Sequence, residues 1–166
     1  MAGYNIAQVN IGRIRAELGD PMMAGFVNRL DEINALADAS PGFVWRLIAN
    51  EGNATYLRPF DDPWMLLNMS VWDSVEHLRQ FVFQTAHREL LRQRHAWFEK
   101  LSDVYATLWW VPFGHIPSVD EAKQRLLHLE KNGPTQFAFT FQRMFQPDEQ
   151  FQQGIDWTSF RPRPAV

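Results

Sequence analysis

The sequence predicts an α+β domain of the ferredoxin-like type, an antiparallel sheet with helices on one face. Three observations predict it. Segments of strand and helix periodicity alternate in the order β-α-β-β-α-β, with an additional helix and strand, which is the split βαβ arrangement. Two strand segments are apolar on both faces, so both faces of the sheet need a cover. The 166 residues, 46% hydrophobic and without cysteine, suit one core held by packing rather than by disulfides.

Residues 5–11, Asn-Ile-Ala-Gln-Val-Asn-Ile, alternate polar and apolar with period two, as a half-buried strand does. Asp20-Pro21 supplies an N-cap and a proline at the first helical position. Met23, Phe26, Val27, Leu30, Ile33, Asn34 and Ala37 then recur at helical spacing until Ser40-Pro41-Gly42. Phe43 to Ile48 reads as a second strand, Glu51-Gly52-Asn53 as a turn, and residues 54–63, with Pro59 and Pro63, as a connecting loop. Met65 to Trp72 is the plainest strand: Met65, Leu67, Met69 and Val71 make an apolar face, and Leu66, Asn68, Ser70 and Trp72 a mixed one.

Asp73 or Ser74 can cap a helix running through Leu78, Phe81 and Val82, and a further helical stretch from Thr85 to Leu101 comes next. Ala106 to Val111 is a strand closed by Pro112. Ser118-Val119-Asp120-Glu121 has the capping-box pattern ahead of a helix that stops at Lys131-Asn132-Gly133. Gln136 to Phe141 reads as a last strand, so residues 1–146 form the domain and the Gln- and Pro-rich residues 147–166 an irregular tail. Phe43–Ile48 and Leu108–Val111, apolar on both faces, point to a partner subunit over the second face of the sheet. A homodimer with two sheets facing each other is the simplest arrangement.

A net charge of −3 offers no general field for a phosphate backbone, and His87 to Lys100 is the one local basic candidate, so no nucleic acid is expected. No stretch approaches the roughly 18 apolar residues of a membrane span, and no basic segment leads into an apolar run at the start. A cytoplasmic protein with no membrane partner is therefore expected. Without cysteine there is no thiolate metal site or cysteine nucleophile, and the scattered His residues form no metal-ligand pattern. The Gly residues form neither a dinucleotide-binding nor a phosphate-loop string, and no Gly-x-Ser-x-Gly elbow occurs. No cofactor is expected; His87, His95 and His115 are the candidates should a haem need an axial ligand. The 13 Phe and 7 Trp fit two uses, filling a small core and lining a pocket for an organic molecule.

The mixed strand faces collect Gln8, Asn10, Asn68, Ser70 and Trp72, with Arg46, Thr107, Trp109 and Thr140 as further candidates. Placed together on the face away from the helices, they would make an aromatic cavity dotted with polar groups, suited to a small hydrophobic or aromatic molecule. Gln8 and Asn10 also fit a solvent-facing sheet edge. Asn68 and Ser70 interrupt an apolar strand, where an unpartnered polar group is costly. His87 and His95, eight residues apart, share a helical face with Leu91, Arg94 and Phe98. His87 has the chemistry of a general base near neutral pH, and Arg94 that of a holder of an enolate, phenolate or carboxylate. The same stretch, with Arg88, Glu89, Arg92, Glu99 and Lys100, also reads as a salt-bridged surface. Trp109 and Trp110 are neighbours in a strand and so face opposite sides: one belongs to the core, the other to the cavity or a dimer seam. His115, in Gly114-His115-Ile116-Pro117, reads as part of a structural turn.

Ser70-Val71-Trp72-Asp73-Ser74-Val75-Glu76-His77-Leu78, the block from His87 to Phe98, and Trp109-Trp110-Val111-Pro112-Phe113-Gly114-His115-Ile116-Pro117 followed by Glu121-Ala122 resemble a bacterial and fungal family of unknown function. That family is placed in the dimeric α/β-barrel superfamily, with the antibiotic biosynthesis monooxygenases as relatives. The resemblance runs from about Ala7 to Phe141 and implies the barrel fold and a homodimer more strongly than a reaction. It implies either a cofactor-independent monooxygenase, cyclase or isomerase of an aromatic or polyketide-like substrate in secondary metabolism, or a non-catalytic hydrophobic-ligand-binding or assembly module.

Overall fold

In the computed structural model, described over residues 3–48, 60–101 and 104–160, four strands form one antiparallel sheet. These are β1 (Tyr4–Arg13), β2 (Phe43–Arg46), β3 (Met65–Trp72) and β4 (Ala106–Pro112), in the order β2-β3-β1-β4. The turn expected at Glu51-Gly52-Asn53, and residues 54–59 of the connecting loop, lie outside the described residues. Among the described residues no helix is long and apolar enough to cross a membrane.

Period-two alternation sets the register. Ile6 pairs with Trp72 and Trp110, Gln8 with Ser70 and Leu108, and Asn10 with Asn68 and Ala106. The even-numbered residues of β1 therefore share a face with the even-numbered residues of β3 and β4. That face packs on α1 (Ala24–Asp38) and α2 (Val75–Gln84), through Ile33, Ala37, Val75, Leu78 and Phe81. Asp20 accepts the N–H of Met22 ahead of the first helical turn, and Ser74 caps α2 by accepting the N–H of His77. Gly42, at φ +77°, makes the turn between α1 and β2. Its backbone leaves no room for a Cβ beside His77 and Asp73.

Three expectations are corrected here. The helix expected from Thr85 to Leu101 is α3 (His87–Gln93), continued by a single 3-10 turn over Arg94–Ala96. Gln136 to Phe141 is no strand and makes only isolated bridges, Phe139 to Leu108 and Thr140 to Arg143. The cause is local: Thr135 donates its N–H to the Ala138 carbonyl to close a turn, and Arg125 takes the Phe137 carbonyl away from any ladder. The tail is not irregular throughout, because Asp148 caps a short helix α5 (Glu149–Gln153) and a 3-10 turn succeeds it at Trp157–Phe160.

The second sheet face, for which the sequence predicts a partner subunit, carries α4 (Val119–Asn132) of the same chain. Ala122 and Leu126 pack on Ala7, Val9, Leu67, Met69, Val71 and Trp109, with Trp157 at the margin. Of the two segments that argue for a facing subunit, Leu108–Val111 is thus buried within one chain, whereas in Phe43–Ile48 Val44 and Ile48 are exposed and the others half-buried.

Candidate functional site

A cavity of about 260 Å³ lies between the sheet and the α1–α3 layer. Its floor is the polar stretch of β1 and β3, with Gln8, Asn10, Asn68 and Ser70, and Arg46 joins from the end of β2. Phe26, Leu30, Ile33 and Asn34 of α1, Phe81 and Val82 of α2, and His87, Leu90, Leu91 and Arg94 from α3 and its 3-10 turn form the roof. Phe98, Tyr105 and Phe141 complete the wall. Gly12 is required here because a Cβ would stand 2.5 Å from the Phe98 ring.

The floor is a hydrogen-bonded relay. Asn10 donates to the Gln8 carbonyl oxygen at 3.3 Å, and Gln8 donates to the Ser70 hydroxyl at 2.9 Å. The Trp72 indole donates to the same Ser70 oxygen, also at 2.9 Å. On the roof, His87 Nδ1 lies 3.3 Å from the Val82 carbonyl. A carbonyl only accepts, so Nδ1 carries the proton and Nε2 keeps the lone pair. Burial lowers the proton affinity of His87 below the ordinary imidazole value, outweighing the bond to Val82, so the ring is neutral at pH 7.

The Arg94 guanidinium lies over the Tyr105 ring at 4.6 Å and the Phe98 ring at 5.9 Å, and pairs with no carboxylate among the described residues. Arg46, by contrast, is neutralised by Asp38 at 2.7 Å. The cavity thus combines an apolar roof with a neutral base, a cation that meets no carboxylate among the described residues, and a polar floor.

The structure brings together Gln8, Asn10, Arg46, Asn68, Ser70, His87 and Arg94, but on the helix-covered face rather than the far one. The reason is that the polar positions share the even-numbered face with Ile6 and Trp72, which face α1 and α2. Six predicted residues do not line the cavity. Trp72 is fully buried beside it, stacked on Phe81 at 5.0 Å. Trp110 packs on Phe139 and donates to the Phe145 carbonyl at 2.8 Å. Trp109 faces α4, as does Thr107, so both tryptophans are core, one on each face. His95 is exposed, because the 3-10 turn breaks the helical register that would have aligned it with His87. Thr140 bridges to Arg143 instead.

A second polar cluster on the α4 face is not foreseen by the sequence reading. Glu121, read as the return half of a capping box, is fully buried and accepts from Trp109 Nε1 at 2.7 Å. It also meets His115 Nε2 at 2.6 Å and Arg125 at 3.4 Å. Only the forward half of the box forms, with Ser118 accepting the Glu121 N–H at 3.1 Å. Arg125, fully buried, lies 3.8 Å above the Phe137 ring, and burial lowers its pKa to about 10 despite Glu121. The available signal was Glu121 and Arg125 four residues apart on the stripe of Ala122, Leu126 and Leu129.

The fold and the site define a ferredoxin-like α+β domain with a small-molecule-sized cavity under its helices. Over residues 5–154 the chain matches the family described as domain of unknown function DUF3291, and it belongs to that family. No curated protein matches it. Among solved structures it is similar to a protein of unknown function from Nitrosomonas europaea, with 9% identity and a TM-score of 0.44, covering 70% of this chain and 95% of that one. It is also similar to a "Putative antibiotic biosynthesis monooxygenase" from the same organism, with 13% identity and a TM-score of 0.42, covering 70% and 93%.

Proposed function

We propose that the cavity is the active site of a cofactor-independent enzyme of small-molecule metabolism. Its reaction, an oxygenation, cyclisation or isomerisation of an aromatic or polyketide-like molecule, begins with loss of a proton to His87. The observation that carries this reading is the pairing, on one cavity wall, of a neutral imidazole whose Nε2 has no partner among the described residues with a guanidinium that meets no carboxylate among them. An apolar cavity of about 150 Å³ already takes benzene, so 260 Å³ suits one or two rings.

His87 and Arg94 stand seven residues apart, a helical rise of about 10 Å. They therefore serve two positions of one ligand: Arg94 anchors an anionic oxygen, a phenolate or carboxylate, and His87 takes a proton elsewhere. The aromatic faces beside Arg94 hold the cation without neutralising it. Haem does not fit these residues. His95 points to solvent, His115 is engaged by Glu121, and the space before His87 is that of one or two rings rather than of four pyrroles.

The test is deuterium exchange. Hydroxyaryl ketones incubated with the protein in D2O are followed by NMR at the carbon next to the carbonyl, with binding measured in parallel by calorimetry. Exchange catalysed by the protein, lost in His87→Ala while binding persists, and binding weakened at least tenfold in Arg94→Gln, are expected. Binding without exchange would make the cavity that of a non-catalytic binding module; absence of binding across the panel removes the reading altogether.

A further inference from the structure

Resting on that reading of the cavity, we infer that Ser70 donates its hydroxyl proton to a carbonyl of the ligand, which makes ketones with an acidic neighbouring C–H the preferred substrate class. A hydroxyl oxygen has two acceptor positions and one proton. The Ser70 oxygen receives both the Gln8 amide N–H and the Trp72 indole N–H. The indole can only donate, and Gln8 is oriented by the Asn10 amide that donates to its carbonyl oxygen. With both acceptor positions filled, the Ser70 proton has to point to a third group. Ser70 is buried and lines the cavity, and among the described residues no acceptor takes that proton. A buried donor left unmade is costly, and a ligand oxygen is the group that satisfies it.

The aromatic packing shows where that oxygen lies. Trp72 stacks on Phe81, whose ring centre is 5.0 Å from that of His87, so Ser70 and His87 flank one end of the cavity. Arg94 lies beside Phe98, which covers Gly12, four residues along β1 from Gln8 or about 13 Å at strand rise. The ligand therefore places its carbonyl between Ser70 and His87, and its anionic group toward Arg94. His87 Nε2 takes the proton from the carbon beside the carbonyl. The C–H pair becomes the enolate C=C, and the C=O pair moves onto the oxygen that faces the Ser70 proton. Ser70 is then a catalytic residue, and Gln8 and Trp72 are positioning residues that act through it.

The experiment compares a hydroxyaryl ketone with the same molecule carrying CH2 in place of C=O, in the wild type and in Ser70→Ala. The infrared band of the bound, 13C-labelled carbonyl is recorded as well. The wild type is expected to bind the ketone about tenfold more tightly than the methylene analogue, with the carbonyl band below its position in an aprotic solvent. Ser70→Ala is expected to lose the preference and the band shift. Equal binding of the two compounds by the wild type, with an unshifted band, overturns the inference and leaves the His87–Arg94 reading standing, since the Ser70 proton would then go to Gln8. If neither compound binds, both fall. The wild-type ligand comparison stands even if the variant folds poorly.

Discussion

The two faces of the sheet each hold an arginine among aromatic rings, and they use it in opposite ways. On the α4 face, Arg125 is fully buried against Phe137 and paired with Glu121, whose other partners are Trp109 and His115. On the α1–α3 face, Arg94 has Tyr105 and Phe98 beside it and no carboxylate among the described residues. In the first arrangement the charge meets a carboxylate. The second leaves a cation, a lone pair on His87 and a proton on Ser70 facing a cavity. The same residue types thus make a structural lock on one face and an open site on the other, and the difference between them is whether the arginine's charge meets a carboxylate among the described residues.

The strongest way to break that contrast is to open the lock. In Glu121→Ala the Arg125 charge stays buried without a counter-charge, and the Trp109 indole and His115 lose their acceptor. The expected loss is about 3–5 kcal/mol of stability, measured by urea denaturation. Glu121→Leu with Arg125→Met, which removes both charges, is expected to recover most of that loss. A cost below about 1 kcal/mol for Glu121→Ala would show that water reaches the pair and that the α4 face is no lock.

The open face gives a smaller, pH-dependent effect. Because burial lowers the proton affinity of His87, below about pH 6.5 the unfolded chain binds a proton that the native ring refuses. Stability therefore falls as pH drops through this window, and no such contribution exists above it. His87→Leu is expected to make the fall between about pH 7 and pH 5 shallower, by at most about 1.4 kcal/mol per pH unit. His128, lowered by burial and by Arg125, has the same sign and remains in the variant. Denaturation curves across that range, with identical slopes for both proteins, would sink the assignment of a half-buried, neutral His87.

Strand β3 is legible with both its ends, because Met65 to Trp72 alternates without a break and Ser74 stands ready to cap α2. Alternation also groups Gln8, Asn10, Asn68 and Ser70 correctly. It cannot say which face meets the helices, since a period of two divides residues into two sets without naming either. That is why sequence reasoning puts the cavity on the wrong side and Trp72 in its lining. His95 fails for a different reason: the apolar spacing runs on to Phe98, while the backbone tightens into a 3-10 turn at Arg94. Glu121 satisfies a capping pattern locally, and its real partners come from a strand, a turn and its own helix. Three-way meetings of that kind leave no periodic trace beyond the four-residue spacing of Glu121 and Arg125.

The smallest expected effect is also the most direct test of the comparison. Arg94→Met keeps the apolar stem that packs on Phe98 and Tyr105 and removes a cation whose contact with exposed rings contributes about 0.5 kcal/mol. Its unfolding midpoint in urea should lie close to that of the wild type. Arg125→Met strands a buried Glu121 and is expected to cost about 3–5 kcal/mol. Measured side by side, the two substitutions ask one chemical question of each face. If Arg94→Met proves as damaging as Arg125→Met, Arg94 is part of the framework and the cavity has no spare charge for a ligand. If it leaves stability untouched, the Arg94 charge is no part of the framework that the described residues build, and it stands available to an anionic ligand.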